Sequence, residues 1–152
     1  HEARGAALVE ALCDRLRVPN EFRDLALLVT RHHGLYHRVE ELRPATLLKT
    51  LEALDAFRRP ERLEQFLLAC EADSRGRPGF ETREFPQPQR FRAALAAAGG
   101  VQAKAVVADG FKGKAVGEEL HRRRIVAIAT ALSLPDPEQA GNDEDEGEAG
   151  EA

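Results

Sequence analysis

The feature that most constrains this chain is the spacing of its apolar residues, which keeps a helical period from one segment to the next. Val9, Leu12, Cys13 and Leu16 fall at i, i+3, i+4 and i+7, the stripe a helix turns toward a core, and predict a helix over residues 2–17. Phe22, Leu25, Ala26 and Val29 repeat the stripe after the break "VPN", where Asn20 carries a side chain suited to N-capping, and this second helix runs toward Gly34. Leu47, Leu48, Leu51 and Leu54 define a third helix over 44–58, with Pro44 in the first turn, where its missing N–H does no harm. Leu63, Phe66, Leu67 and Cys70 define a fourth, which starts at Pro60 and stops near "ADSRGRPGFE". "RFRAALAAA" forms a fifth that Gly99-Gly100 is expected to end, "AKAVVAD" gives a short helical turn before Gly110, and Val116, Leu120, Ile128 and Leu132 mark a last helix over 114–132. No run of β-branched residues at period 2 interrupts the series. The expected fold is all-α, an irregular bundle of about six helices.

Composition fits that expectation. The chain has 152 residues, enough to bury one real core, with 43% hydrophobic and 32% charged residues, which excludes a disordered chain. No apolar run approaches the roughly 20 residues that span a bilayer. No signal-peptide pattern opens the sequence, and a cytoplasmic protein is expected. The first residue is His1 and methionine is absent, so the sequence reads as a piece of a longer polypeptide. Cys13 and Cys70 have no CxxC or Cys/His spacing and fall at apolar helical positions, as reduced core thiols do.

The net charge of −4 conceals an asymmetry. Residues 135–152, "PDPEQAGNDEDEGEAGEA", hold eight acids and no base and read as a disordered acidic tail. Without them 18 acids face 22 Lys plus Arg, a balance of about +4, and a mildly basic body permits a nucleic-acid partner.

Three motifs bear on chemistry. "RHHGLYH" places His32, His33 and His37 within seven positions; His33 and His37 are four apart, the spacing at which two helical imidazoles share a metal. Gly34 between them argues against a continuous helix through the motif, and no acid lies inside it. The alternative is a set of partly exposed histidines near a helix C-terminus. In "ADSRGRPGFE", Arg75 and Arg77 flank Gly76 within a long polar loop expected over 74–90. They suit phosphate contact, or else pair with acids inside the loop. In "DGFKGKAVGEELHRRR", Gly110, Gly113 and Gly117 surround a helix start, Lys112 and Lys114 add charge, and Arg122 and Arg123 follow in a basic run. That set favours anions, most simply a nucleic-acid backbone bound in a salt-sensitive way, against the plainer reading of a solvated charged face. No P-loop, GxSxG elbow or paired-carboxylate motif is present.

The stretches "LCDRLRVPNEFRDLALLV", "HHGLYH", "ALDAFRRPERLEQF", "CEADSRGRPGFE" and "AKAVVADGFKGKAVGEELHRRRI" together resemble, in order, the C-terminal part of bacterial multifunctional CCA-adding tRNA nucleotidyltransferases. The resemblance covers residues 1 to about 132. It implies residues 1–43 as the remainder of an HD-type helical region, 44–134 as a helical tRNA-binding body and tail, and 135–152 as an acidic segment outside the family pattern. In such enzymes a head domain binds CTP and ATP with Mg²⁺, and the HD region holds Ni²⁺ or another divalent metal and hydrolyses phosphate esters, including 2′,3′-cyclic phosphates. The resemblance makes tRNA the expected partner, gripped by phosphates at Arg75, Arg77, Lys112, Lys114, Arg122 and Arg123, and makes His1 and His33 the expected metal ligands. It leaves catalysis of CCA addition to portions not in this sequence, with no catalytic residue here and no metal firmly bound by this portion alone. One departure stands out: Gly34 occupies the position after His33 where the family carries Asp, which removes a hard oxygen ligand and weakens the case for hydrolysis. A metal-dependent phosphohydrolase and a structural module that forms a homodimer are the competing readings.

Overall fold

The computed structural model describes residues 2–134; His1 and the acidic segment 135–152 lie outside the described residues. In chain order the elements are α1 (Glu2–Leu16), α2 (Asn20–His37), a 3-10 turn (Val39–Glu41), α3 (Pro44–Ala53), α4 (Pro60–Arg75), α5 (Gln87–Gly100), α6 (Ala103–Ala108) and α7 (Lys114–Ala131). Among the described residues all regular structure is helical, as the apolar spacing requires. The chain divides into two compact units. The first comprises residues up to Leu42 together with Lys49–Phe91; the second comprises Arg43–Leu48 together with the residues from Arg92 onward.

The core of the first unit is aromatic. Tyr36, Phe66 and Phe91 have no solvent exposure, with Tyr36 and Phe91 nearly parallel at 6.3 Å and Phe66 edge-on to Phe91 at 6.1 Å. These are the separations at which rings gain beyond the burial of their area. Leu63, Leu67 and Cys70 of α4 are buried on the expected stripe. Burial pushes the Cys70 thiol up to about 12, so it stays protonated as a core residue. Helix α2 continues through Gly34 to His37, against the expectation that the glycine would break it. A helical glycine costs about 1 kcal/mol relative to alanine, and full burial of Tyr36 two residues later outweighs that. Asn20 is the first helical residue rather than the cap: Pro19 holds that position, and no side chain caps the helix.

Helix α1 packs on α2 through small residues. A Cβ at Gly5 would stand 2.9 Å from Thr30 Cγ2, and Thr30 is fixed by donating its hydroxyl to Ala26 O at 2.7 Å. Ala6 and Cys13 are buried, but Leu8, Leu12 and Leu16 are 46–72% exposed and form a continuous i, i+4, i+8 row. The stripe expected to face inward through Leu12 and Leu16 is therefore shifted around the helix toward Ala6 and Cys13. Phe22 is likewise exposed at the start of α2.

Three helices end on a non-glycine residue in the left-handed region: Arg17 (φ 52°) after α1, Asp55 (φ 55°) after α3 and Ser133 (φ 52°) after α7. In each case the next N–H reaches back five residues: Val18 to Cys13, Ala56 to Leu51 and Leu134 to Ala129, at 2.8–3.0 Å. This is the Schellman closure, which satisfies terminal carbonyls. It stops α3 at Ala53, short of the expected residue 58. Gly99 and Gly100, expected to end α5, are its last two residues. In the second unit α6 packs on α7, and Val106, Ile128 and Ala129 are buried.

Two glycines test this packing. Gly117 lies inside α7 with open space where a Cβ would go, and Gly117→Ala is expected to raise stability by about 1 kcal/mol. Gly5→Ala gains the same propensity but forces atoms together at Thr30. Overpacking costs about 1–3 kcal/mol, so a net loss is expected. Urea denaturation of the two variants should move the midpoint in opposite directions.

Candidate nucleic-acid interface

Helix α4 ends at Gly76, whose N–H bonds Ala72 O at 3.0 Å. Two turns follow. Phe80 N–H bonds Arg77 O at 3.0 Å around Pro78-Gly79, with Gly79 at φ 86°, the position and sign a type II turn requires of its third residue. Arg83 N–H then bonds Phe80 O at 3.2 Å. Within this loop the two expected phosphate ligands have different roles. Arg75 donates Nε and Nη2 to Glu71 Oε1 at 2.9 and 2.8 Å, donates Nη1 to the Glu81 carbonyl at 2.7 Å, and lies 5.3 Å from the Phe85 ring centre. Its guanidinium is spent on holding the loop closed. Arg77 is 60% exposed and has one long ion pair, 3.5 Å to Asp73. Backbone N–H groups of Glu81 itself and Gly79 hold the Glu81 carboxyl below its usual range. Arg83, which the motif reading did not single out, is exposed, lies 5.1 Å from the Phe80 ring centre and has no carboxylate partner among the described residues.

The second cationic stretch is built the same way. Asp109 closes α6, Gly110 (φ 99°) turns the chain, and Gly113 (φ 56°, ψ −134°) is the N-cap of α7 in a conformation that a side chain would strain. Arg123 bonds Asp109 Oδ2 at 2.6 Å and Glu119 Oε1 at 2.7 Å and lies 5.7 Å from the Phe111 ring centre. Arg122 grips both oxygens of Glu119 at 2.8 and 2.9 Å. Hydrogen bonds from Arg122 and then Arg123 hold the Glu119 carboxyl down to about 2. Lys112 is exposed, and Lys114 is 91% exposed with only Glu118 beside it at 3.1 Å. A surface pair of that kind is worth about 0–1 kcal/mol and is readily exchanged.

His33 and His37 lie one turn apart on the continuous α2, their rings edge-to-face at 6.2 Å. His33 Nδ1 sits 3.1 and 3.2 Å from the carbonyls of Val29 and Thr30. Carbonyls only accept, so Nδ1 is the donor in these contacts, the way a metal-binding histidine commonly has its ring oriented. Among the described residues no group of three His, Cys, Asp or Glu is placed to hold an ion. His33 and His37 are thus brought within one turn of each other but into no such group, and His1 lies outside the described residues. No described helix is long and apolar enough to cross a membrane.

These features define an all-α chain with two separately braced cationic loops. The chain is 60% identical over 128 residues to the multifunctional CCA protein of Thioalkalivibrio sulfidiphilus, covering 84% of this chain and 31% of that protein. It is 54% identical over 132 residues to that of Nitrosococcus oceani, covering 87% and 32%. With that of Alkalilimnicola ehrlichii it shares 55% over 139 residues, covering 91% and 34%. Over most of its length the chain is thus similar to one portion of the multifunctional CCA proteins, and it spans about a third of the length of these relatives. No family model matches it, and no solved structure does.

The Glu119 network predicts an acid response. Its folded value of about 2 lies below the ordinary 4.5, so between these values the unfolded state binds more protons. The stability it contributes is complete above about pH 4.5 and is lost as pH falls toward 2. Acid titration monitored by circular dichroism should show Glu119→Gln with lower stability at neutral pH and a flatter decline across that window.

Proposed function

We propose that this chain is the C-terminal, tRNA-gripping portion of a CCA-adding tRNA nucleotidyltransferase. The head that joins CTP and ATP to the tRNA 3′ end, with its Mg²⁺, would lie in the portion of the relatives that this chain does not span. The observation that carries the reading is identity of 54–60% to multifunctional CCA proteins over most of this chain, combined with exposed cationic side chains, of which Arg77 and Lys114 are held only by surface ion pairs. Of the six phosphate-binding candidates, Arg77, Lys112 and Lys114 are the direct contacts. Arg122 is half-exposed and shares Glu119, so it exchanges that partner for a phosphate at greater cost. Arg75 and Arg123 act by bracing the loops that present the others. Contacts made through sugar and phosphate position an RNA without reading its bases, which suits a protein that must accept every tRNA. The His33 ring, oriented by its Nδ1 contacts to the Val29 and Thr30 carbonyls, supports a divalent-metal site completed by residues outside those described, and Gly34 after it weighs against hydrolysis there.

A second reading has its own observation. The exposed row Leu8, Leu12 and Leu16 is the kind of face a helical dimerisation module carries. Sedimentation distinguishes the readings: the dimer reading predicts association without salt-dependent affinity for tRNA.

The purified chain is expected to bind unrelated tRNAs equally, with log K falling linearly in log salt, and to add no nucleotide to a tRNA lacking its terminus. Lys112→Ala and Lys114→Ala should each reduce that slope by about 1 and weaken all tRNAs by the same factor. Filter binding across a salt series checks this. Unchanged slopes, or CMP incorporation by the chain alone, would overturn the reading.

A further inference from the structure

A cavity of about 300 Å³ opens beside the 76–86 loop, lined by His37 of α2, Ser74 of α4, and Arg77, Arg83, Phe80 and Gln87, with the exposed acids Glu40 and Glu84 also on its lining. Its size is at the lower end of small-ligand sites. Two of its side chains carry buried polar atoms without a hydrogen-bond partner, His37 Nε2 and Gln87 Oε1. His37 Nε2 is 3.5 Å from Asp73 Oδ2, within reach of an ion pair but not aligned for a hydrogen bond. Burying such atoms unmatched costs free energy, and sites where they converge are frequently functional.

We propose that this cavity binds a single nucleotide unit, with the phosphate on Arg83 and Arg77 and the polar edge of the base or ribose on Gln87 and His37. Arg83 supplies the anion site: it lies over the Phe80 ring, has no carboxylate partner among the described residues and keeps its N–H groups for a ligand. Inorganic phosphate alone would satisfy the arginines and can offer an O–H to Gln87 Oε1, but it brings neither base N–H donors nor a ring for the aromatic wall. A nucleotide carries both the anion and the N–H or O–H donors, and its ring system suits the wall that Phe80 and Phe85 provide. The site lies on the same loop as Arg77, so its RNA-borne form rests on the tRNA reading above; binding of a free nucleotide does not.

The test uses the full chain with 5′-AMP, 5′-CMP and inorganic phosphate as probes, followed by calorimetry or NMR titration in the millimolar range. Both nucleotides are expected to bind more tightly than phosphate. Arg83→Ala is expected to weaken them about tenfold, and Gln87→Leu by a smaller factor, with unchanged circular dichroism and melting. Lys49→Ala, at an exposed cation that does not line the cavity, should leave nucleotide binding untouched. Displacement of 5′-AMP by tRNA identifies the occupant as an RNA-borne nucleotide, and binding that tRNA does not displace identifies a free one. Equal affinity for phosphate and nucleotide, no nucleotide binding, or wild-type affinity in Arg83→Ala overturns the proposal. Loss of tRNA binding with nucleotide binding intact overturns only the tRNA reading.

Discussion

The structure around both cationic loops depends on one repeated interaction, an arginine consumed from within. Arg75 takes the carboxylate of Glu71 one turn before it, a carbonyl of the following loop and the face of Phe85. Arg123 takes Glu119 one turn before it, Asp109 at the far side of its loop and Phe111. In each case one guanidinium satisfies a helix-surface acid, a loop group and an aromatic ring at once, the set of contacts its planar, multiply donating head allows and an ammonium does not. A glycine-containing segment loses conformational entropy when it is ordered. These braces supply the compensating contacts, and the neighbouring cations can then stay on the surface at low additional cost.

This arrangement separates bracing from presentation. Lys114 with Glu118, and Arg77 with Asp73, are pairs in high dielectric, where a polyanion can displace the carboxylate with little loss. Glu119 cannot be displaced in that way. Its side chain is only 11% exposed and accepts from two arginines, and removing it would cost each of them a carboxylate contact. Electrostatic affinity for a sugar-phosphate chain comes from charges that exchange counterions easily. The loops therefore hold two kinds of cation with opposite requirements, in adjacent positions.

Much of this was legible in the sequence, and what was not has identifiable causes. The helical period located α4 because it buries the stripe that the 3.6-residue repeat marks, Leu63, Phe66, Leu67 and Cys70, and it located α7 although only Ile128 of the expected Val116, Leu120, Ile128 and Leu132 is buried and the other three are partly exposed. It misplaced the inward face of α1, where Leu8, Leu12 and Leu16 form as regular a row as any core stripe, and periodicity alone does not say which neighbour a row will meet. Gly34 read as a break because local propensity disfavours it, while burial of Tyr36 and its stacking on Phe91, 55 positions away, was invisible locally. Arg75 and Arg77 looked equivalent, each with an acid four residues earlier. Reach separates them: Glu71 is longer than Asp73, and only Arg75 meets Phe85. The pairs Glu71/Arg75 and Glu119/Arg123 were visible as i, i+4 spacings that favour internal pairing, and they were the available signal.

Arg83 shows why the remainder of the candidate site was not legible. Nothing in "ETREF" distinguishes this arginine from a solvated surface residue. Its significance comes from three contributions that meet only in the fold: the Phe80 ring beneath it, the final turn of α2 that brings His37, and Gln87 at the first position of α5. Helix α2 reaches His37 only because it runs through Gly34, and Gln87 is helical only because α5 starts three residues before the "RFRAALAAA" stretch that announced it. Both extensions beyond the expected boundaries end at the same cavity. Two of the places where local rules misjudged a helix end, the end of α2 and the start of α5, are therefore places where the chain brings together buried polar atoms without hydrogen-bond partners, the pattern expected when a fold departs from local preference to build a site.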